Sequence, residues 1–163
     1  FGLTDHPRLV IKHTDARTFL VASNQQFDVI LIDVFSHGYG IPFHILTHQS
    51  LEEFKQRLQP NGVIVVNIIG SPQGEHDELV GSIYKTFQSQ FPVVQLFSTH
   101  PTTPTLMQNV IVLATNSEIR SDQLLISEYG EFLLTQLPLR GRILTDDYAP
   151  MEAMVRAQRN PSN

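Results

Sequence analysis

The segment from Phe27 to Ser36, FDVILIDVFS, constrains the fold of this chain more than any other. It is apolar on both alternations of a strand, a pattern typical of a central strand in a parallel sheet that is covered on both faces. Asp33 stands at the carboxyl end of this run, where open α/β sheets bind their ligands. The same position suits an aspartate that caps a loop, so the residue alone allows a structural and a functional interpretation.

Composition narrows the class of protein. The chain has 163 residues, 41% of them hydrophobic, which predicts one globular domain with its own core. A net charge of −5 does not favour nucleic acid and is compatible with a cationic small molecule. Cysteine is absent, which excludes disulfides, thiolate catalysis and cysteine-ligated metal sites. No apolar run has the length of a membrane helix, and we expect a cytoplasmic protein.

Helical and strand patterns alternate along the chain. The predicted strands are Arg8 to His13, Phe27 to Asp33, Gly62 to Ile69, Val93 to Ser98 and Asn109 to Ala114. The predicted helices are Ala16 to Ala22, Thr47 or Ser50 to about Gln59, Leu79 to about Gln90, Ser121 to Leu137, and a terminal helix from Pro150. The connection between the last two strands is too short for a crossover helix, so we expect them to pair antiparallel at an edge of the sheet.

Asp15 is a second carboxylate at the end of a predicted strand. It follows the run Arg8 to His13 and directly precedes a predicted helix, so it, or Thr14, also suits the N-cap position. A ligand role and a capping role are compatible with each other. Because the carboxyl ends of parallel strands meet at one edge of a sheet, Asp15 and Asp33 are predicted to face one crevice.

Two short glycine-related motifs give little support for chemistry. The lone G-x-G at Gly38 to Gly40 has Phe43 where a third glycine would stand, so loop flexibility is favoured over phosphate binding. No serine stands in a G-x-S-x-G turn, so a hydrolase nucleophile is not indicated.

The pair Asp146-Asp147, followed by Tyr148, is typical of a solvated turn as well as of a ligand site.

His44, His48 and Glu52 recur every four residues, which is the spacing of metal ligands on one helical face. Pro42 and Thr47 indicate, however, that the helix begins after His44. The three side chains are then not on one helix, and no metal site is predicted.

Several stretches together resemble the spermidine synthase-like family: HTDARTFL, FDVILIDVFS, IPFHILT, LQPNGVIVVNIIG and LTDDYAPME. These are aminopropyltransferases built on the class I methyltransferase fold, and the resemblance runs from Asp5 to about Val155. It implies a Rossmann-like α/β domain with a mostly parallel sheet and an antiparallel edge. It also implies the site residues: Asp15, Ala16 and Pro42 beside the adenine of the cofactor, Asp33 as the group that assists transfer, and Asp146, Asp147 and Tyr148 on the acceptor side.

The implied reaction is aminopropyl transfer from decarboxylated S-adenosylmethionine, used as a substrate, to a polyamine or other amine, without a metal. The amine must lose a proton and attack a carbon beside a sulfonium, so a carboxylate such as Asp33 suits the chemistry. One departure is Ser36, where the family typically has the second Asp of Asp-x-x-Asp. The alternatives are a methyltransferase that uses S-adenosylmethionine on the same fold, and a non-catalytic module that kept the fold.

The family's first two strands have no counterpart in this sequence, which begins at Phe1 with what looks like the third strand. We therefore interpret residues 1–157 as the C-terminal portion of such a domain, trimmed from a longer protein, and residues 158–163 as a frayed tail. In the family's strand order the missing pair lies between Arg8 to His13 and Phe27 to Asp33. The two strands could pair with each other, but we expect a separate N-terminal segment or another copy of the chain to fill the gap, and the chain alone to be inactive.

Overall fold

The computed structural model describes residues 6–35, 42–117, 129–136 and 140–159 of the chain. In chain order the elements are α1 (Ala16–Ala22), β1 (Phe27–Ile32), a 3-10 turn (Phe43–Ile45), α2 (His48–Lys55), β2 (Leu58–Gly70), α3 (Glu78–Gln88), β3 (Val93–Ser98), β4 (Gln108–Thr115), a second 3-10 turn (Gly130–Phe132) and α4 (Met151–Arg159). None of the helices in this part of the chain has both the length and the apolar character to cross a bilayer.

The four strands form one mixed sheet in the order β1-β2-β4-β3. Strand β1 runs parallel to β2, whereas β4 is antiparallel to both β2 and β3. The predicted α/β fold with an antiparallel edge is confirmed, and its parallel part in the described residues is the β1–β2 pair. The connection between β1 and β2 includes α2, as a parallel crossover requires.

The core lies on one face of the sheet. Alternate strand residues such as Ile64, Val66 and Ile68 are buried, and they pack with the apolar stripes of the helices. In α3 the predicted stripe is confirmed, since Leu79, Val80, Ile83 and Phe87 are all at most 3% exposed. Full burial of one such side chain stabilises the fold by about 1.5–3 kcal/mol.

On the opposite face of the sheet, β1 is exposed, whereas most residues of β2, β3 and β4 are half-buried. In β1, Ile30 and Ile32 are buried, but Val29 and Leu31 are 56% and 68% exposed. The prediction of a central strand covered on both faces is therefore wrong for the described residues. The apolar pattern was identified correctly, but no other described strand lies at the second edge of β1 to make it central.

The predicted strand Arg8 to His13 does not form. Arg8 lies in a turn, residues 9–13 form neither helix nor strand, and Val10 and Ile11 are 73% and 57% exposed. A β-type pattern produces a strand only when a neighbouring strand completes its hydrogen bonds, and none of the described strands is adjacent.

A predicted turn and a predicted helix also differ from the structure. The turn expected at 60–62 is part of β2, where a register irregularity against β1 accommodates the additional residues. The helix predicted from Ser121 to Leu137 lies mostly outside the described residues, and within them Leu133 is extended and bridges Phe97. Pairing with the edge strand β3 thus replaces helix at Leu133.

The C-terminal segment returns to the beginning of α2 and the end of α3, where the Leu144 carbonyl accepts from the His48 backbone N–H at 2.8 Å. Leu144 is fully buried, its backbone N–H donates to Thr86 Oγ1 at 2.9 Å, and a tight turn follows from Thr145 to Tyr148. Helix α4 then packs on α3 and extends through Gln158, whose Nε2 donates to the His76 carbonyl at 2.8 Å. The expected tail therefore begins inside this helix, and residues 160–163 lie outside the described part.

Candidate active site

Asp33 lies directly after β1, at the carboxyl end of the parallel strand pair. Its Oδ1 accepts a hydrogen bond at 3.0 Å from Nδ2 of Asn67, which stands beside it on β2. Asp33 is exposed, and its Oδ2 has no hydrogen-bond partner within the described residues. Among the described residues, one amide thus holds the carboxylate through Oδ1, and none donates a hydrogen bond to Oδ2.

Asp15 caps α1, as its sequence position predicted. Its Oδ1 accepts from the Thr18 backbone N–H at 2.9 Å, and its Oδ2 lies 2.8 Å from His44 Nε2. These two contacts, the Thr18 bond first, lower the pKa of the Asp15 carboxyl from 3.8 to about 2. The group is ionised at neutral pH, and the exposed Ala16 follows it at the start of the helix.

An apolar groove of ≈ 240 Å³ lies between α1 and β1. Its lining includes Ala16, Phe19, Val29 and Val34. Because Ala16 directly follows Asp15 and Val34 directly follows Asp33, the groove extends from the neighbourhood of one carboxylate to that of the other. An apolar slot with a carboxylate near each end suits a ligand that has a flat apolar part and polar groups at its edges.

Pro42 is half-buried and precedes the 3-10 turn Phe43–Ile45, for which it occupies the N-cap position. This turn carries His44, so Pro42 belongs to the segment that reaches over to Asp15. Residues 36–41, which directly precede Pro42, lie outside the described part of the chain. They include Ser36 and the Gly38 to Gly40 motif.

Asp146, Asp147 and Tyr148 are consecutive in the C-terminal turn but differ in their contacts. Arg17 holds the Asp146 carboxylate with two hydrogen bonds, at 2.8 and 2.9 Å, and this contact is the main cause of the lowered pKa of Asp146. Asp147 is exposed, with no hydrogen-bond partner in the described part of the chain. Tyr148 is 49% exposed, and its ring lies 5.4 Å from the Arg142 guanidinium carbon.

A sequence model of the spermine/spermidine synthase domain matches residues 2–123. The chain belongs to the spermine/spermidine synthase family. Among curated proteins, the polyamine aminopropyltransferase of Vibrio vulnificus (strain CMCP6) is 27% identical over 154 residues, which are 85% of this chain and 50% of that protein. This synthase-family chain thus spans about half the length of that relative.

Solved structures share the fold of this synthase-family chain. A probable spermidine synthase from Corynebacterium glutamicum is 23% identical with a TM-score of 0.62, over 75% of this chain and 43% of that one. A spermidine synthase in complex with the transition state analogue AdoDATO is 17% identical with a TM-score of 0.55, over 94% and 46%. Human methyltransferase-like protein 13 in complex with SAH is 18% identical with a TM-score of 0.58, over 99% and 64%. At these identities the likeness shows the methyltransferase-like fold alone.

Sequence reasoning missed two residues at the site of this synthase-family chain, Asn67 and Arg17. Asn67 was detectable as the lone amide in the apolar run GVIVVNIIG, and its Oδ1 is buried without a hydrogen-bond partner in the described residues. Arg17 gave a weaker signal, because charged residues are common in a first helical turn. A buried amide and a largely buried guanidinium both indicate specific partners.

The histidines of the synthase-family chain have separate partners. His44, in the 3-10 turn, contacts Asp15. His48 belongs to α2, and its Nδ1 lies 2.8 Å from Ser89 Oγ. Within the described ranges, no group of three or more His, Asp or Glu side chains is arranged to hold a metal ion.

Proposed function

We propose that this chain is part of a cytoplasmic aminopropyltransferase that transfers the aminopropyl group of decarboxylated S-adenosylmethionine to an amine acceptor. Membership of the spermine/spermidine synthase family supports this assignment. The observation that carries it is Asp33, whose exposed carboxylate stands after β1 with Oδ1 held by Asn67 and with Oδ2 unbonded by the residues that the structure describes. A general base requires such an oriented carboxylate within reach of its substrate.

In the proposed reaction Asp33 accepts a proton from the ammonium form of the acceptor, which exposes the nitrogen lone pair. The neutral nitrogen then bonds to the carbon beside the sulfonium, the carbon–sulfur bond breaks, and the thioether leaves with the electron pair. Asn67 keeps the carboxylate in one orientation, which would hold its second oxygen ready for the acceptor. The exposed side chains of Asp147 and Tyr148 are proposed to bind the remainder of the cationic acceptor.

The donor is proposed to bind along the apolar groove between α1 and β1. Asp15 would accept hydrogen bonds from polar groups of the nucleoside, while Ala16 and Pro42 would contact its base. The groove measures ≈ 240 Å³, whereas complete small-molecule sites start at about 300 Å³. It therefore suits the nucleoside end of the donor and not the whole molecule, which is consistent with further binding groups outside this chain.

The exposed edge and face of β1 support a second part of the proposal. Val29 and Leu31 are exposed on β1, which has no described strand at its second edge, and Leu9, Val10 and Ile11 are exposed as well. An apolar open edge attracts another strand. We propose that a further segment of the same polypeptide, or of a second copy, completes the sheet and the site.

The test is product analysis with the protein at its natural length, supplied with amines and either decarboxylated or intact S-adenosylmethionine. We expect an aminopropylated amine from the decarboxylated donor. A methylated product from the intact donor would identify a methyltransferase instead. If neither donor reacts and calorimetry shows no binding, the non-catalytic alternative is supported and the proposal fails.

A further inference from the structure

Arg17 is the most highly connected polar side chain near the candidate site. Its Nε and Nη2 donate to the two oxygens of Glu53 at 2.6 and 2.9 Å, and Nη1 and Nη2 donate to the two oxygens of Asp146 at 2.8 and 2.9 Å. Nη1 also donates to the His44 carbonyl at 3.1 Å. All five N–H groups of the guanidinium are therefore used.

These bonds join three separate parts of the chain to α1. Glu53 lies on α2, His44 lies on the 3-10 turn, and Asp146 lies in the C-terminal turn, 129 residues from Arg17. The Arg17 side chain is only 17% exposed. Two bidentate carboxylate contacts on one largely buried guanidinium fix orientation as well as position, which lysine cannot reproduce.

Three side-chain hydrogen bonds hold the Asp146 carboxylate. Besides Arg17 it accepts a 2.6 Å hydrogen bond from Thr47 Oγ1, and its backbone N–H donates to Gln49 Oε1 at 3.1 Å. Asp146 is thus the anchor of the turn, and its neighbours Asp147 and Tyr148 are the side chains left exposed.

We propose that Arg17 is a positioning residue that couples the donor side of the site, at Asp15, to the acceptor side, at the turn from Thr145 to Tyr148. Arg17 lies two residues after Asp15 on α1 and holds the turn through Asp146. A shift of the start of α1 on donor binding would therefore be transmitted to Asp147 and Tyr148. The terms donor and acceptor rest on the proposed function, whereas the coupling itself rests on the contacts.

The first test is residue-resolved amide hydrogen exchange on the protein at its natural length with Arg17→Gln. We expect the amides of Asp146 and Tyr148 to exchange about tenfold faster or more, because the turn loses its charged anchor. Arg17→Lys should restore part of the protection. Since coupling is reciprocal, Asp146→Asn should accelerate exchange at the Thr18 amide, which bonds Asp15.

Arg57→Gln is the matched control. Arg57, between α2 and β2, also binds α1, through the carbonyls of Leu20 and Val21, and within the described residues it has no hydrogen bond to the C-terminal turn. It should leave exchange at Asp146 and Tyr148 unchanged. Equal effects of Arg17→Gln and Arg57→Gln on the turn would overturn the proposal, because they would show general loosening of α1. If Arg17→Gln does not fold by circular dichroism, Arg17→Lys and Asp146→Asn decide the same question.

The second test uses the protein at its natural length. The affinity for the acceptor amine is measured with and without the donor, and the ratio is compared between the wild type and Arg17→Lys. We expect the ratio to fall toward one in the variant. A ratio that stays at its wild-type value would contradict the coupling, whereas absence of transfer in an enzyme that still shows coupled exchange would reject only the proposed function.

Discussion

Asp33 and Asn67 form the pair on which the proposed chemistry depends. Asp33→Asn keeps the shape of the side chain but removes its ability to accept a proton, so we expect kcat in the natural-length protein to fall by about 10²- to 10⁴-fold with little change in donor affinity. Asp28→Asn, at an exposed position on the same strand, is the control for loss of charge. An unchanged kcat for Asp33→Asn would remove this residue from the mechanism.

Asp15 combines a cap with a candidate ligand contact, and two substitutions separate them. Asp15→Ala should lose about 1 kcal/mol of stability with the cap and also weaken donor binding. Asp15→Ser keeps a capping oxygen, so we expect nearly wild-type stability together with weakened donor binding. Thermal melts and titrations of both variants measure this. Wild-type affinity in Asp15→Ser would show that Asp15 is only a cap.

The lowered pKa of Asp15 also predicts a pH dependence of stability. The pKa of Asp15 is about 2 in the folded state and 3.8 ordinarily, so the ionised carboxylate contributes its full stabilisation of the fold at any pH above 3.8. It is lost as the pH falls from about 4 toward 2, because the proton binds more tightly in the unfolded state. The melting temperature of Asp15→Ser should therefore fall less than that of the wild type over this range. If the melting temperatures of the two proteins fall in parallel with pH, the Thr18 and His44 contacts are not the cause of the pH dependence.

At the level of elements, the connection into the C-terminal turn depends on Gly141. Its φ of +115° lies in a region that favours glycine, and a Cβ there would meet the backbone of Gly81 and Ser82 on α3. Gly141→Ala should therefore destabilise the fold by about 1–3 kcal/mol or more in urea unfolding. Gly74→Ala is the comparison, since Gly74 also has a positive φ but its Cβ would meet only the Thr105 side chain. A smaller loss for Gly141 than for Gly74 would contradict the close approach to α3.

Elements whose signals are local were predictable from the sequence. Asp15 was identified as a cap because a capping residue acts within its own helical turn, and the α3 stripe follows from helical periodicity. The strand at Arg8 to His13 was not predicted correctly, because its formation depends on a neighbour that a local pattern does not reveal. The Asp33–Asn67 contact requires the β1–β2 register, and the Arg17–Asp146 contact joins residues 129 apart.

For the whole molecule, the open edge of β1 predicts association of the isolated chain. Leu31 is 68% exposed on that strand. We expect light scattering to show oligomers or aggregates, and Leu31→Lys to shift the chain toward monomer, because a charge on an edge strand disfavours further pairing. A monomeric wild-type chain with strongly protected amides in both β1 and the segment 8–13 would contradict the proposed completion by another strand.

The contact between Arg17 and Asp146 has a consequence for the time course of folding. It closes a loop of 129 residues, whereas α1, α2 and the β3–β4 hairpin each depend on contacts much nearer in sequence. Contacts between distant residues carry the largest loop-closure cost, so this one is expected to form after the sheet and the helices are in place. The two sides of the candidate site would then be joined only in the last step, and partly folded chains would hold each side without the other.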